Sequence, residues 1–176
     1  ERLQRAERDY RRRLTEDPAC VLALYGLGRC LEARGKTLEA MAAYRAAVEA
    51  DPAAETAWYA MGICALKMDA LGGAAPALQR VLELNPKSVP ALLALCAVEL
   101  RRGRPGEAEA VCRRALKIEP GNWKIHANLA RVREAQGDLP GALAAAGEAA
   151  RLDSGPAARA LLQEMTDKTR KRGGTP

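Results

Sequence analysis

A dipeptide that returns at a constant interval constrains the fold of this chain. Four acidic or amide residues are each followed by proline with a spacing of 34 residues, at Asp17-Pro18, Asp51-Pro52, Asn85-Pro86 and Glu119-Pro120. A fixed period of this size, without Cys or His ligand spacing inside it, is typical of helix-turn-helix repeats that bury their apolar faces by stacking. The sequence therefore predicts an all-α repeat protein.

Alignment of the repeats on these prolines separates small residues from large apolar ones. Small residues occupy two columns: Gly28, Gly62, Cys96 and Ala130, then Ala40, Ala74, Ala108 and Ala142. Large residues occupy two more: Leu24, Trp58, Leu92 and His126, then Leu27, Met61, Leu95 and Leu129. Small side chains are expected where two helices cross closely, and large ones where they fill the core.

A further column marks the turns. It contains Gly35, Asp69, Gly103 and Gly137, and we expect it to end the first helix of each repeat in the left-handed conformation. The proline pairs are expected to end the second helix, because proline cannot continue the hydrogen-bond ladder.

This combination of columns resembles the tetratricopeptide repeat (TPR). Trp58-x-x-Met61-Gly62 and Leu24-x-x-Leu27-Gly28 are the segments most similar to the family signature. The resemblance covers nearly the whole chain and implies a right-handed α-solenoid with four full repeats at 21–54, 55–88, 89–122 and 123–156. The fourth repeat departs most, with His126 in a large apolar column and Ser154 where proline is expected.

Both ends of the chain have a separate interpretation. Ala6, Tyr10 and Leu14 repeat the second-helix pattern, so residues 1–20 are expected to be the second helix of a truncated repeat in a chain that begins mid-repeat. Residues 157–168 have an apolar face that predicts a C-terminal capping helix. Residues 169–176 are expected to form a disordered basic tail.

The net charge of +6 is concentrated at the two ends. Residues 1–13 contain six Arg and three acidic residues, residues 168–172 contain four basic residues, and the stretch between them contains 18 basic and 19 acidic residues. A groove that follows phosphates would carry basic residues along the repeats, interleaved with aromatic ones. The sequence therefore predicts no specific nucleic-acid partner.

The apolar runs and the cysteine spacing bear on whether the protein is a membrane protein or a redox or metal-binding one. The longest apolar run, at 91–98, is too short for a membrane span, so we expect no membrane insertion and a cytoplasmic protein. Five Cys without a C-x-x-C are interpreted as reduced, packed thiols, with a redox or metal role as the alternative. No cofactor or metal is predicted.

The residues available for catalysis are few. His126 is the one histidine, it lies in a large apolar column, and Leu129 and Ala130 stand where a catalytic or ligating partner would be needed. Gly72 and Gly73, before Ala74, are not followed by the Lys-Ser/Thr that a phosphate-binding loop requires. We therefore expect no enzyme, and His126 is predicted to be packed in the core.

The resemblance implies that first-helix residues pointing away from the packing columns line a concave groove. The predicted partner-binding residues are Tyr25, Arg29, Tyr59, Ile63, Lys67, Leu93, Arg101, Lys124, Asn128 and Arg131. Apolar and aromatic residues predominate early and basic ones late, which favours a protein partner, as a peptide or helix, with apolar anchors and an acidic stretch. Alternatively, Tyr25 and Tyr59 pack only against neighbouring first helices.

Two other functions remain open. The half-repeat at the start could dock on the C-terminal cap of a second chain and give a head-to-tail oligomer, which is a structural scaffold that self-associates. Some TPR family members instead bind the C-terminal carboxylate of chaperone tails through a clamp of Lys, Asn and Arg. The positions implied for that clamp hold Tyr25, Arg29, Ala60, Pro90 and Ala94, and only Lys124, Asn128 and Arg131 resemble it.

Overall fold

The computed structural model describes residues 2–173, and these residues form ten helices and no strand. They are divided into two compact units, Glu1–Pro86 and Lys87–Pro176. Unit 1 contains α1 (Arg2–Glu16), α2 (Val21–Ala33), α3 (Thr37–Ala50), α4 (Glu55–Lys67) and α5 (Leu71–Leu84). Unit 2 contains α6 (Val89–Arg101), α7 (Pro105–Ile118), α8 (Trp123–Ala135), α9 (Leu139–Leu152) and α10 (Pro156–Gly173).

Within each unit, helices that follow one another in the chain pack together. In unit 1, α2 pairs with α3 and α4 with α5, while α1 packs on α2 and α3 on α4. In unit 2, α6 pairs with α7 and α8 with α9, and α10 packs on α9 and α8. Each predicted repeat range thus contains one helix pair. The all-α class built from helix-turn-helix repeats is confirmed.

The turns inside the helix pairs have the predicted left-handed backbone. Gly35, Gly103 and Gly137 have φ angles of 74°, 71° and 82°. Asp69 occupies the same column with φ 58°, a conformation that Asp adopts more readily than most residues with a side chain. The column of turn residues is therefore confirmed in every repeat.

The turns between helix pairs explain the recurring Asp-Pro dipeptide. Asp51 has extended backbone angles (φ −139°, ψ 101°), which proline imposes on the preceding residue, and its Oδ1 accepts a hydrogen bond of 2.8 Å from the backbone N–H of Ala53. Asp17 makes the same side-chain turn with Ala19. Asp153 also makes it, with Gly155, although Ser154 replaces proline there. The carboxylate therefore preserves this turn where proline is missing.

The first small column lies where each first helix meets its second helix. A Cβ added to Gly28 would lie 2.5 Å from the Tyr44 ring, and one added to Gly62 would lie 2.9 Å from Leu78 Cγ. Tyr44 and Leu78 are completely buried. The prediction that close helix crossings require small residues in this column is confirmed in unit 1.

In unit 2 the same contact is made by two thiols. Cys96 and Cys112 are buried and free, and their Sγ atoms are 2.9 Å apart. The hydrogen bond with Cys112 and burial both raise the pKa of Cys96, so this thiol stays protonated. Cys30 and Cys64 are also buried free thiols, whereas Cys20 is half-buried.

His126 differs from the expected core imidazole. It is half-buried, and its Nε2 donates a hydrogen bond of 2.8 Å to the carbonyl of Pro120. Trp58 stands in the same column and donates from Nε1 to the carbonyl of Pro52 at 3.0 Å. The two side chains therefore make equivalent contacts with the preceding proline turn, and His126 has a structural partner that the sequence did not reveal.

The C-terminal helix is longer than predicted. α10 continues through residues 169–173, which were expected in a disordered tail; residues 174–176 lie outside the described residues. Lys168 bonds Glu134 and Glu164, and Thr169 Oγ1 donates to the Met165 carbonyl at 2.8 Å. Arg170, Lys171 and Arg172 in the last turn complement the helix dipole. These contacts explain why the helix extends into the basic segment.

We predict that Gly28→Ala destabilises unit 1. Its methyl group would overlap the Tyr44 ring, and overpacking of this kind typically costs about 1–3 kcal/mol. The matched control is Gly72→Ala in α5, where an added Cβ meets nothing within 4 Å. Urea unfolding followed by circular dichroism should give a lower midpoint for Gly28→Ala and an unchanged or slightly higher one for Gly72→Ala. Equal midpoints would contradict the close crossing.

Candidate protein-binding faces

The predicted binding residues of unit 1 lie on its two first helices. Tyr25 and Arg29 are one turn apart on α2, and Tyr59, Ile63 and Lys67 follow one another at four-residue intervals on α4, so each set shares one side of its helix. Arg29 and Lys67 are exposed, whereas Tyr25, Tyr59 and Ile63 are half-buried. We call these five residues the unit 1 face.

The two tyrosines of this face differ in their surroundings. The ring of Tyr25 leans on the buried ring of Tyr44, with centroids 5.9 Å apart, so Tyr25 has a packing role as well as an accessible side. Burial raises the pKa of Tyr59, which keeps its hydroxyl neutral at physiological pH. Both rings are held by the scaffold while part of their surface remains available.

An ion pair connects the two first helices of unit 1. Glu32 at the end of α2 accepts a hydrogen bond of 2.5 Å from Lys67 Nζ and one of 2.9 Å from the Tyr44 hydroxyl. Partial burial acts to raise the pKa of Glu32, but the bonds from Lys67 and Tyr44 outweigh it, and the pKa is lowered. Lys67, predicted as a binding cation, is therefore partly neutralised within the face.

The same arrangement recurs in unit 2 between α8 and α10. Lys168 bonds Glu134, which stands at the repeat position of Glu32. The hydrogen bonds with Glu134 and Glu164 raise the pKa of Lys168. The role of Glu32 as a link between helices was not predicted, although an acid at the same position in the fourth repeat is the signal that could have identified it.

The predicted residues of unit 2 lie on α6 and α8. Lys124, Asn128 and Arg131 share one side of α8, and Leu93 and Arg101 lie on α6. Asn128 Nδ2 donates to the backbone carbonyl of Leu93 at 3.3 Å, so α8 and α6 contact each other through two predicted residues. Arg101, Lys124 and Arg131 are exposed, and Arg131 lies 3.9 Å from Glu164. We call these five residues the unit 2 face.

A shallow groove adjoins the unit 1 face at the start of the chain. It has a volume of about 340 Å³ and lies between α1 and α2, with Tyr25 and Arg29 in its lining. Leu3 and Leu22 at this groove are 45% and 65% exposed, which is unusual for large apolar side chains. The apolar surface near Tyr25 is therefore continuous with α1.

No group of three or more His, Cys, Asp or Glu side chains among residues 2–173 could hold a metal ion. None of the helices in this part of the chain is both long and apolar enough to cross a membrane.

Comparisons with known proteins define the class. A tetratricopeptide-repeat family model matches residues 1–55, and the model of the cilia and flagella-associated protein 70 middle TPR-like domain matches residues 50–153. The fold is thus that of a tetratricopeptide-repeat domain. The chain belongs to the family of the cilia and flagella-associated protein 70 middle TPR-like domain.

Solved structures agree with this fold. A crystal structure of MamA matches with TM-score 0.81 and 24% identity, covering 86% of this chain and 89% of that one. YrrB, described as a TPR protein with an unusual peptide-binding site, matches with TM-score 0.81 and 21% identity, covering 93% of this chain and 84% of that one. TTC0263, a thermophilic TPR protein of Thermus thermophilus, matches with TM-score 0.75 and 22% identity, covering 94% of this chain and 91% of that one. The comparison with curated proteins gave no match.

We predict that Glu32→Gln destabilises unit 1 by about 1–2 kcal/mol near neutral pH, because Lys67 and Tyr44 lose a charged acceptor. A carboxylate with a lowered pKa stabilises the fold above its unfolded pKa, about 4.3, and loses that effect as pH falls through the folded pKa. The difference between wild type and variant should therefore shrink on acidification below about pH 4.3.

Urea unfolding at a series of pH values measures this effect. Glu83→Gln is the control, because it removes only the exposed pair with Arg80, and a change within about 0.5 kcal/mol is expected. A Glu32→Gln difference that is the same at every pH would contradict the ion pair.

Proposed function

We propose that this domain is a non-catalytic protein–protein interaction scaffold that binds a partner peptide or helix through its first-helix faces. The observation that carries the proposal is that Tyr25 on α2 and Tyr59 and Ile63 on α4 are only half-buried, so each first helix of unit 1 presents apolar or aromatic surface to solvent. Solvent-facing helix positions are normally polar. Large rigid aromatic side chains are the ones that dominate binding energy at protein interfaces.

The unit 1 face is preorganised for binding. Glu32 ties Lys67 of α4 to α2, and the same carboxylate is fixed by the buried hydroxyl of Tyr44. A partner therefore meets side chains whose geometry is set in advance, which lowers the entropy lost on association. Apolar anchors of the partner would contact Tyr59 and Ile63, and Arg29 would supply a cation at the edge.

The unit 2 face has a different chemistry. Arg101, Lys124 and Arg131 present positive charge, and Leu93 adds a half-buried apolar contact. Arg can bind a carboxylate through two parallel hydrogen bonds, whereas Lys acts as a point charge. We expect an acidic stretch of the partner to be preferred here, with affinity that decreases as salt concentration rises.

The comparisons support a binding role. TPR-type repeats stack into surfaces that bind other proteins, and YrrB is described as having a peptide-binding site. The matching family is described as a domain of a cilia and flagella-associated protein, so we propose a cytoplasmic module of the ciliary or flagellar apparatus. An adaptor that holds one component through a peptide is consistent with this setting.

Binding of a chaperone tail is the less favoured form of this function. The carboxylate clamp would need polar first-helix residues in several repeats, and those positions hold Tyr25, Ala60, Pro90 and Ala94. Asn128 already donates its amide to the Leu93 carbonyl. Lys124 and Arg131 alone suit a general acidic contact better than a terminal carboxylate.

We predict that Tyr59→Glu weakens binding of a peptide selected on the wild-type domain by at least about tenfold. A charged side chain would replace the aromatic anchor without a buried counter-ion. Peptides are selected from a displayed random library, and dissociation constants are measured by fluorescence anisotropy after circular dichroism shows unchanged helicity. Gln79→Glu is the control, because it introduces the same charge at an exposed position of α5, which is a second helix. Equal loss in both variants would contradict the assignment to the unit 1 face.

Self-assembly is a second candidate, favoured by the exposed Leu3 and Leu22. These residues form the apolar edge where α1 and α2 face solvent, and a second copy could cover that edge. Head-to-tail contact of this type produces open oligomers when the geometry does not close.

We predict that, if self-assembly operates, Leu3→Glu together with Leu22→Glu converts the oligomer to monomer, because two charges would stand on the apolar edge. Light scattering over a hundredfold concentration range measures the mass. A wild-type protein that remains monomeric throughout would contradict this candidate and leave peptide binding unaffected.

A further inference from the structure

Two cysteines meet in the core of unit 2, where the first and second helices of the third repeat cross. Cys96 on α6 and Cys112 on α7 are free thiols whose Sγ atoms are 2.9 Å apart. Their exposed fractions are 0% and 1%. Two carbon atoms pack best at about 3.5–4.0 Å, and sulfur is larger than carbon, so these thiols are closer than ordinary packing would place them. We call them the α6–α7 thiol pair.

The helix crossing brings the two sulfur atoms near bonding distance. A disulfide bond is about 2.05 Å long, so the Sγ atoms of the pair need to approach by about 0.9 Å. Cys96 stands in the column of Gly28 and Gly62, where an added Cβ would overlap the facing side chain of the second helix. This column is therefore where the two helices of a repeat come close together, and the pair is positioned for a covalent bond between α6 and α7.

Packing alone does not require sulfur at this contact. In the fourth repeat, Ala130 and Ala146 occupy the same two positions, and both are completely buried. Alanine at both positions is therefore compatible with the helix crossing. The third repeat instead has cysteine on both helices, and a pair of thiols is the combination that can add a covalent bond to the contact.

Metal binding is the other chemistry that a cysteine pair could support. A zinc site needs three or four protein ligands, and within residues 2–173 no group of three or more His, Cys, Asp or Glu side chains could hold a metal ion. The core cluster that contains the pair consists of apolar residues, among them Leu129 and Val132. These surroundings favour disulfide chemistry.

Burial determines how the pair reacts. The hydrogen bond with Cys112 and burial raise the pKa of Cys96, and the thiolate is the reactive form of cysteine. An oxidant is therefore expected to react slowly, during local opening of the helix pair. Once one sulfur has been oxidised, the other lies beside it. The second step is then intramolecular and is favoured over further oxidation of the first sulfur.

We propose that Cys96 and Cys112 are a modification site, at which a peroxide converts the α6–α7 thiol pair into an intramolecular disulfide. One thiolate first attacks a peroxide oxygen. An S–O bond forms, the O–O bond breaks, and the leaving hydroxide takes up a proton to give water and a sulfenic acid. The second thiol then attacks the sulfenic sulfur. The S–S bond forms, the S–O bond breaks, and hydroxide leaves as water with the proton of that thiol.

The electron balance of the two steps is complete. The two thiols together lose two electrons, and hydrogen peroxide is reduced to two molecules of water. The bond closes a loop between residues 96 and 112, and such a bond stabilises a fold by restricting the unfolded chain. Unit 2 is therefore expected to resist unfolding more strongly after oxidation.

Mass spectrometry of the wild-type protein tests the proposal. The folded protein is treated with hydrogen peroxide, remaining thiols are blocked with N-ethylmaleimide in urea, and the protein is digested with trypsin without reduction. Trypsin cleaves after Arg101 and Arg102, so residues 88–101 and 103–113 become separate peptides with one cysteine each. We expect these peptides to be joined, with the loss of two hydrogen atoms. Recovery of both peptides unlinked after the half-buried Cys20 has fully reacted would overturn the proposal.

Oxidation of the unfolded protein is the control for pairing. In urea the five cysteines are free to join in several combinations. The folded protein should give one link, between Cys96 and Cys112. The same mixture of links in both states would overturn the proposal, because the fold would then not direct the pairing.

Variants measure the effect on stability. Cys96→Ala with Cys112→Ala copies the contact of Ala130 and Ala146, so this variant is expected to fold. The urea midpoint of the wild type should rise after peroxide treatment and return after dithiothreitol, whereas the midpoint of the double variant should not change. Cys30→Ala removes a buried thiol of unit 1 and should retain the rise. An equal rise in the double variant would overturn the assignment to this pair.

Discussion

One close contact in each helix pair sets the distance between its two helices, and the packing of the rest of the pair depends on that distance. It joins a small residue of the first helix to a residue of the second: Gly28 with Tyr44, Gly62 with Leu78 and Cys96 with Cys112, while Ala130 and Ala146 occupy the same positions in the last repeat. Where the second-helix residue is large the first-helix residue is glycine, and where it is small a side chain is tolerated. Because interiors are close-packed, this matching of sizes sets how near the two helices approach. First-helix residues on the side away from this crossing, such as Tyr59 and Ile63, keep part of their surface exposed.

The consequence is clearest in α4, whose sides have separate roles. Gly62 faces the second helix of its own pair. Tyr59, Ile63 and Lys67 form part of the unit 1 face, and Trp58 and Met61 line an apolar groove of about 650 Å³ beside α3. Glu32 fixes the unit 1 face by bonding Lys67 and Tyr44.

Local features were predictable from the sequence, and contacts between repeats were less so. The 34-residue period, the left-handed turn at Asp69 and the small residue at Gly62 follow from backbone and size constraints inside one repeat. The role of Glu32 and the bridge between Glu7 and Arg34 depend on residues 27 to 35 positions apart, which no local pattern marks. The length of α10 was underestimated because its basic end resembles a solvated tail, although Lys168 anchors it to Glu134. The binding residues of both faces remain predictions.

The central claim is that the first-helix side of α4 is where a partner segment binds. Photo-crosslinking tests it most directly, with p-benzoylphenylalanine incorporated at Tyr59 in one protein and at Leu38 in another. A labelled peptide selected on the wild-type domain is added, and crosslinked residues are identified by mass spectrometry. The account predicts efficient crosslinking from position 59 and little from position 38. Crosslinking from position 38 alone would contradict it.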